Sequence, residues 1–144
     1  MSMYLNTDNN VISIRRGDSG VLRVKFSESD MSGVYVTFAV KLNKDDADED
    51  AVITKSYQCG YDKTVLPNEA YFLIKPEDTQ ELEVTPEKDK NDYQEYYWMI
   101  KIETNNGLLA DTVIPSSTNN FPKFRVYYGS VPDSDIPNTW GIII

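Results

Sequence analysis

The chain has 144 residues, one cysteine and no histidine, and its acidic side chains outnumber its basic ones 23 to 14 for a net charge of −9. A chain of this length buries roughly 68–70% of its unfolded surface as one domain without staples, while its charge works against general binding to phosphate backbones or anionic membrane surfaces. The lone Cys59 excludes an internal disulfide and a thiolate metal cluster and reads as a small packed hydrophobe, and without histidine no ordinary Ser-His-Asp relay can form.

The opening Met-Ser-Met-Tyr-Leu-Asn-Thr-Asp lacks an apolar signal core, and no run approaches the roughly 18 apolar residues of a membrane span, so synthesis in a reducing cytoplasm without an export signal is expected. Between Ile14 and Phe26 two apolar-alternating segments meet at Gly17-Asp18, which predicts a β-hairpin; Leu22, Val24 and Phe26 alternate with Arg23 and Lys25. Val34, Val36, Phe38, Val40 and Leu42 then share one face against Tyr35, Thr37, Ala39 and Lys41. Residues 51–57 form a shorter β-branched run, and residues 70–75 another that Pro76 closes. Only residues 77–82 look helical, for one or two turns.

The longest strand candidate is residues 93–104. Tyr96, Trp98, Ile100 and Ile102 make its apolar face, with Glu95, Lys101 and Glu103 on the other. Asn105-Asn106-Gly107 is the strongest hairpin turn in the chain, because Asn and Gly tolerate the positive φ that it needs. Residues 108–114 return, and residues 123–128 make a final strand. The acidic loop 43–50 and the charged stretch 83–92 break the rhythm and are expected to be solvated and mobile. Strands divided by turns, with no amphipathic helices between them, predict an all-β chain of about eight strands in a two-sheet sandwich centred on Trp98, an open barrel being the alternative.

Chemical motifs are sparse. Arg16-Gly17-Asp18 is formally an adhesive tripeptide, but Gly-Asp is also ordinary turn chemistry. Asp45, Asp46, Asp48, Glu49 and Asp50 crowd one loop; Asp46, Asp48 and Asp50 offer oxygens to a Ca²⁺ ion, yet Ala51 and Tyr57 stand where the EF-hand pattern wants glycine and glutamate, so a solvated loop is the reading and no metal is assigned. Glu95 and Glu103 lie too far apart on one strand to cooperate as a catalytic pair. No catalytic or cofactor-binding residue is assigned, and a non-enzymatic chain is expected.

Ten tyrosines, with Trp98 and Trp140, allow a sugar platform, for which Tyr35, Tyr57 and Tyr97 at outward or edge positions are the candidates; the plainer account is that tyrosine favours strands and sheet interfaces. Residues 1–131 are read as the sandwich domain and residues 132–144 as an extended apolar C-terminal tail. Pro132 and Pro137 keep its connector extended, and Trp140, Ile142, Ile143 and Ile144 follow. Left in water, each of these side chains forgoes about 1.5–3 kcal/mol. They either cover an edge of their own sandwich or dock on another subunit by strand addition, and the reading favours the second.

One succession of segments carries a family likeness: the Gly17-Asp18 turn, Val34-Tyr-Val-Thr-Phe-Ala-Val-Lys41, an acidic loop, Ala51-Val-Ile-Thr-Lys55, Tyr71-Phe-Leu-Ile74, Pro76-Glu-Asp-Thr79, Leu82, Tyr97-Trp-Met-Ile-Lys-Ile102, the Gly107 turn and Asp111-Thr-Val113. Over roughly residues 10–128 this order resembles the immunoglobulin-like N-terminal module of phage baseplate upper proteins and related small tail-associated proteins. The chain departs from that pattern by an insertion at residues 83–92 and by Ile114-Pro-Ser-Ser-Thr-Asn-Asn-Phe-Pro122 where a glycine is usual. The resemblance implies a single immunoglobulin-like antiparallel β-sandwich. It implies a structural role in the tail or baseplate of a phage or prophage particle, made in the bacterial cytoplasm and then virion-associated. The expected partners are other phage structural proteins, or a second copy of this chain through its C-terminal tail, with no nucleic acid, membrane or cofactor. A carbohydrate-binding sandwich that recognises a bacterial surface glycan is the alternative.

Overall fold

The computed structural model describes residues 3–6, 9–82, 93–104, 107–115, 121–129, 131 and 142–144. They form ten strands: β1 (Met3–Asn6), β2 (Val11–Arg15), β3 (Gly20–Lys25), β4 (Tyr35–Lys41), β5 (Ile53–Gln58), β6 (Glu69–Ile74), β7 (Tyr93–Thr104), β8 (Leu109–Ile114), β9 (Lys123–Tyr127) and β10 (Ile142–Ile143). A single α-helical turn, α1 (Pro76–Gln80), starts at a proline, whose fixed φ suits a helix N-terminus, and a 3-10 turn occupies Asp48–Asp50. No helix among the described residues is long and apolar enough to cross a membrane.

The strands build an all-β sandwich of two sheets. The larger runs β1-β2-β9-β7-β4-β5, with β8 also on β7; the smaller runs β10-β3-β6. The order β9-β7-β4-β5 opposite β3-β6 is the G-F-C-C′ against B-E arrangement of a variable-type immunoglobulin sandwich. Two strand pairs, β2 with β9 and β10 with β3, are parallel, so the sheets are mixed rather than antiparallel throughout.

The expected hairpin at Gly17-Asp18 is not one. β2 lies in the larger sheet and β3 in the smaller, and the turn carries the chain across the sandwich. Alternation told which side chains face the core, and both strands do turn theirs inward: Ile12 and Ile14 from one sheet, Leu22 and Val24 from the other, all at most 1% exposed. Period-2 patterning fixes a face and leaves the partner open. What fixes the crossing is α1, to which Gly17 donates its N–H through Thr79 Oγ1 at 2.8 Å while Arg16 Nη2 donates to the Gln80 carbonyl at 2.7 Å.

Phe38 joins the two sheets. Its ring centroid lies 5.8 Å from those of Phe72 and Trp98 and 6.3 Å from that of Phe124, tilted contacts each adding about 0.5–1.5 kcal/mol beyond simple burial. Phe38, Val40, Trp98 and Ile100 are fully buried as their alternation required, whereas Ile102 only packs against the rim of the core. It sits where β7 and β8 run on together and Leu109–Thr112 of β8 are exposed.

β8 and β9 occupy the same side of β7, β8 along Ile100–Thr104 and β9 along Tyr93–Tyr97, with a register shift at Ile100/Lys101. They lie in one row, β8 ending at Ile114 and β9 beginning at Lys123. Just before β9, the Pro122 carbonyl accepts the Trp98 backbone N–H at 3.0 Å.

The acidic loop, expected free in solvent, is tied to the outer face of the larger sheet. Asp48 Oδ1 lies 2.7 Å from Lys41 Nζ and its Oδ2 3.2 Å from Lys101 Nζ, and Asp46 Oδ2 accepts the Asn43 N–H. Alternation could not show this, because it treats the outward face of β4 as solvent; in the structure Ala39, Lys41 and Met99 are buried on it. The charged stretch 83–92 lies outside the described residues.

Candidate functional site

The apolar C-terminal segment has a place in its own sandwich. Ile142 pairs in parallel with Val24 and Ile143 with Lys25, Ile144 N–H donates to the Lys25 carbonyl, and Ser27 N–H donates to the Ile144 carbonyl, both at 2.7 Å. Ile142 enters the core and Ile144 packs against it, leaving Ile143 exposed. This corrects two expectations: residues 142–144 belong to the sandwich rather than to a separate tail, and the side chains of Ile142 and Ile144 are engaged within the chain rather than offered to another subunit. The physical reason is the short smaller sheet, whose β3 edge has backbone groups to satisfy on the side away from β6. Trp140 lies outside the described residues.

The three tyrosines expected to form a platform do not meet. Tyr35 pairs with Glu103 across β4 and β7, and Tyr97 pairs with Lys41, so the two stand six residues apart along the same face, about 20 Å at strand rise. Tyr57 points the other way, into the lateral seam between the sheets, where its ring lies 6.4 Å from that of Tyr71. That seam also holds a 2.8 Å hydrogen bond from the Tyr71 hydroxyl to Glu69 Oε2 and the Arg23 guanidinium 5.8 Å from the Tyr71 ring centre. Burial, then the Asp62 charge, holds the Tyr57 phenol above its ordinary pKa.

The tripeptide Arg16-Gly17-Asp18 is engaged by α1 and by its own turn, Asp18 N–H donating to the Arg15 carbonyl. Glu95 is held between Lys123 Nζ and Arg125 Nε, each at 3.3 Å, while Glu103 lies eight residues further along β7. Among the described residues no group of three or more metal-ligating side chains converges, and Asp48 spends its carboxylate on two lysines.

What sequence reasoning missed is the outer end of the β7–β8 hairpin. β8 pairs with β7 alone among the described residues, its Leu109–Thr112 stretch is exposed throughout, and Leu108 and Leu109 are 84% and 59% exposed. Natural edges are usually blunted by lysine, proline or an inward charge. β5, the far edge of the same sheet, has such a device: Lys55 reaches Asp78 Oδ2 at 2.8 Å. On β8 the only charge is Asp111. The signal was available in sequence, since two adjacent leucines directly after a turn cannot both face a core.

No protein-family model, curated protein or solved structure matches this chain.

Proposed function

We propose that this chain is a non-enzymatic assembly module of a phage or prophage particle, a tail or baseplate component that acts by protein–protein docking, and that the β8 edge with its hairpin end is the docking element. The observation that carries this reading is the pair Leu108 and Leu109, exposed on and beside a strand that pairs with β7 alone among the described residues. An added strand would satisfy the β8 backbone groups, and covering the two leucines is worth about 1.5–3 kcal/mol each. The likeness to baseplate modules supplies the biological setting, and the absence of histidine and the crossing of Arg16-Gly17-Asp18 into a structural turn are in keeping with a scaffold.

Particles released from the bacterium that carries the gene, purified by density and probed for this chain, test the reading. The chain should cofractionate with them, and Leu108→Asp with Leu109→Asp should abolish its incorporation while leaving its melting temperature within error. A chain absent from purified particles would sink the proposal.

A further inference from the structure

A second surface, independent of the hairpin, lies at the end of β5. Ser56, Tyr57, Gln58, Tyr61 and Asp62 bound an open concavity of about 210 Å³. It is built rather than incidental. Gly60 turns the chain at φ +79°, a conformation that suits glycine, and a Cβ there would press on Ser32. Gly33 N–H donates to the Cys59 carbonyl at 2.8 Å, and Asp62 Oδ1 accepts both the backbone N–H and the hydroxyl of Thr64. The loop thereby holds Tyr61 out with 81% of its surface exposed, while the Tyr57 hydroxyl is enclosed and has no hydrogen-bond partner among the described residues.

We propose that this concavity is a saccharide subsite that takes one pyranose ring, its C–H face on Tyr61 and its hydroxyls on Gln58, Ser56 and Asp62. A flat, exposed aromatic beside an amide, a hydroxyl and a fixed carboxylate suits a ligand that has one apolar face and a rim of groups that both donate and accept. Pockets that enclose drug-sized ligands run to roughly 300–1,000 Å³, so this smaller one holds a single ring and leaves the rest of a glycan outside. A quaternary ammonium, the other ligand that tyrosines favour, would offer nothing to the Gln58 amide, while the Ser56 hydroxyl would keep, among the described residues, only the Thr37 hydroxyl 3.3 Å away.

The test is saturation-transfer difference NMR on the full chain with methyl α-D-glucopyranoside, N-acetylglucosamine and L-rhamnose, and with tetramethylammonium as the cationic probe. At least one sugar should receive saturation, Tyr61→Ala should weaken its binding about tenfold, and Tyr61→Phe should keep it within about twofold. Tyr61 is too exposed to matter for folding, and unchanged melting of both variants will confirm that. Transfer to none of the sugars, equal transfer in Tyr61→Ala, or transfer to tetramethylammonium alone would overturn the assignment. The hairpin variants leave this site intact, so either proposal can fail without the other.

Discussion

Trp98 donates its indole N–H to the carbonyl oxygen of Asn10, 2.9 Å away and 88 residues earlier in the chain. The bond ties the middle of the longest strand to the turn that leads into β2, where Asn10 itself takes a left-handed φ of 57°, a region that asparagine tolerates better than most residues. Trp98 therefore contributes volume and a polar anchor together. Trp98→Ala should cost about 3–5 kcal/mol in urea unfolding. Trp98→Phe, which keeps an aromatic ring but orphans the carbonyl, should cost about 1–3 kcal/mol. An alanine variant with near-native stability would contradict the burial.

The acidic loop yields a prediction of charge. Lys41 is buried, its side chain 6% exposed, so its ammonium depends on Asp48. Asp48→Asn should destabilise by about 1–3 kcal/mol, and the companion change Lys41→Met should recover most of that, since an apolar stem fills the same space. The hydrogen bond from Lys41, then that from Lys101, holds the Asp48 carboxyl below its ordinary pKa. Its folded value is thus below its unfolded one. The associated stability is complete above the unfolded value of about 4 and disappears as pH falls through the folded value. Half of the Asp48 side chain is exposed, so solvent screening keeps that pH effect small. Melting followed across acid pH in native and Asp48→Asn chains checks both the sign and the size.

The crossing between sheets gives a third test. Thr79 is fully buried and accepts the Gly17 N–H, so Thr79→Val should cost about 1–3 kcal/mol by leaving that N–H unsatisfied. Arg16→Ala removes an exposed bond to the Gln80 carbonyl and should cost less, about 0.5–1.5 kcal/mol. Equal and negligible effects in thermal unfolding would mean that α1 does not hold the turn.

Cys59 is 1% exposed, and burial pushes its thiol up from an ordinary value near 9 to about 11. Iodoacetamide at pH 8 should label it far more slowly in the native chain than after unfolding in urea, because the thiolate is both scarce and covered. A folded pKa above the unfolded one also means that stability is full below about pH 9 and declines as pH rises towards 11. Rapid native labelling would contradict the packing.

Much of the fold was legible because side-chain alternation is a direct record of which face is buried. β7 begins and ends where its pattern does, at Tyr93 and Thr104, and α1 begins at Pro76, one residue from its expected start. β1 escaped notice because Met3 and Leu5 give only two apolar beats, although Met3 packs so closely on β3 that a Cβ on Gly20 would overlap it. Partnership between strands was not legible, since Ile12 and Leu22 show the same alternation in different sheets. The candidate site was least legible. Tyr61 belongs to no strand, and its role depends on how Gly60 and Asp62 bend a loop.

Both sheets are completed by pairing strands that lie far apart in the sequence. Phe124 sits beside Ile12 in the larger sheet, and Ile142 beside Val24 in the smaller, each pair separated by more than about 100 residues. Neither sheet can finish until Phe124 and Ile142 have been synthesised, so folding cannot proceed by locking successive pieces in order of synthesis. Such high contact order makes for slow, late and cooperative folding. Until Ile142 arrives the edge of β3 stays open, and the growing chain must wait with that edge exposed to its neighbours.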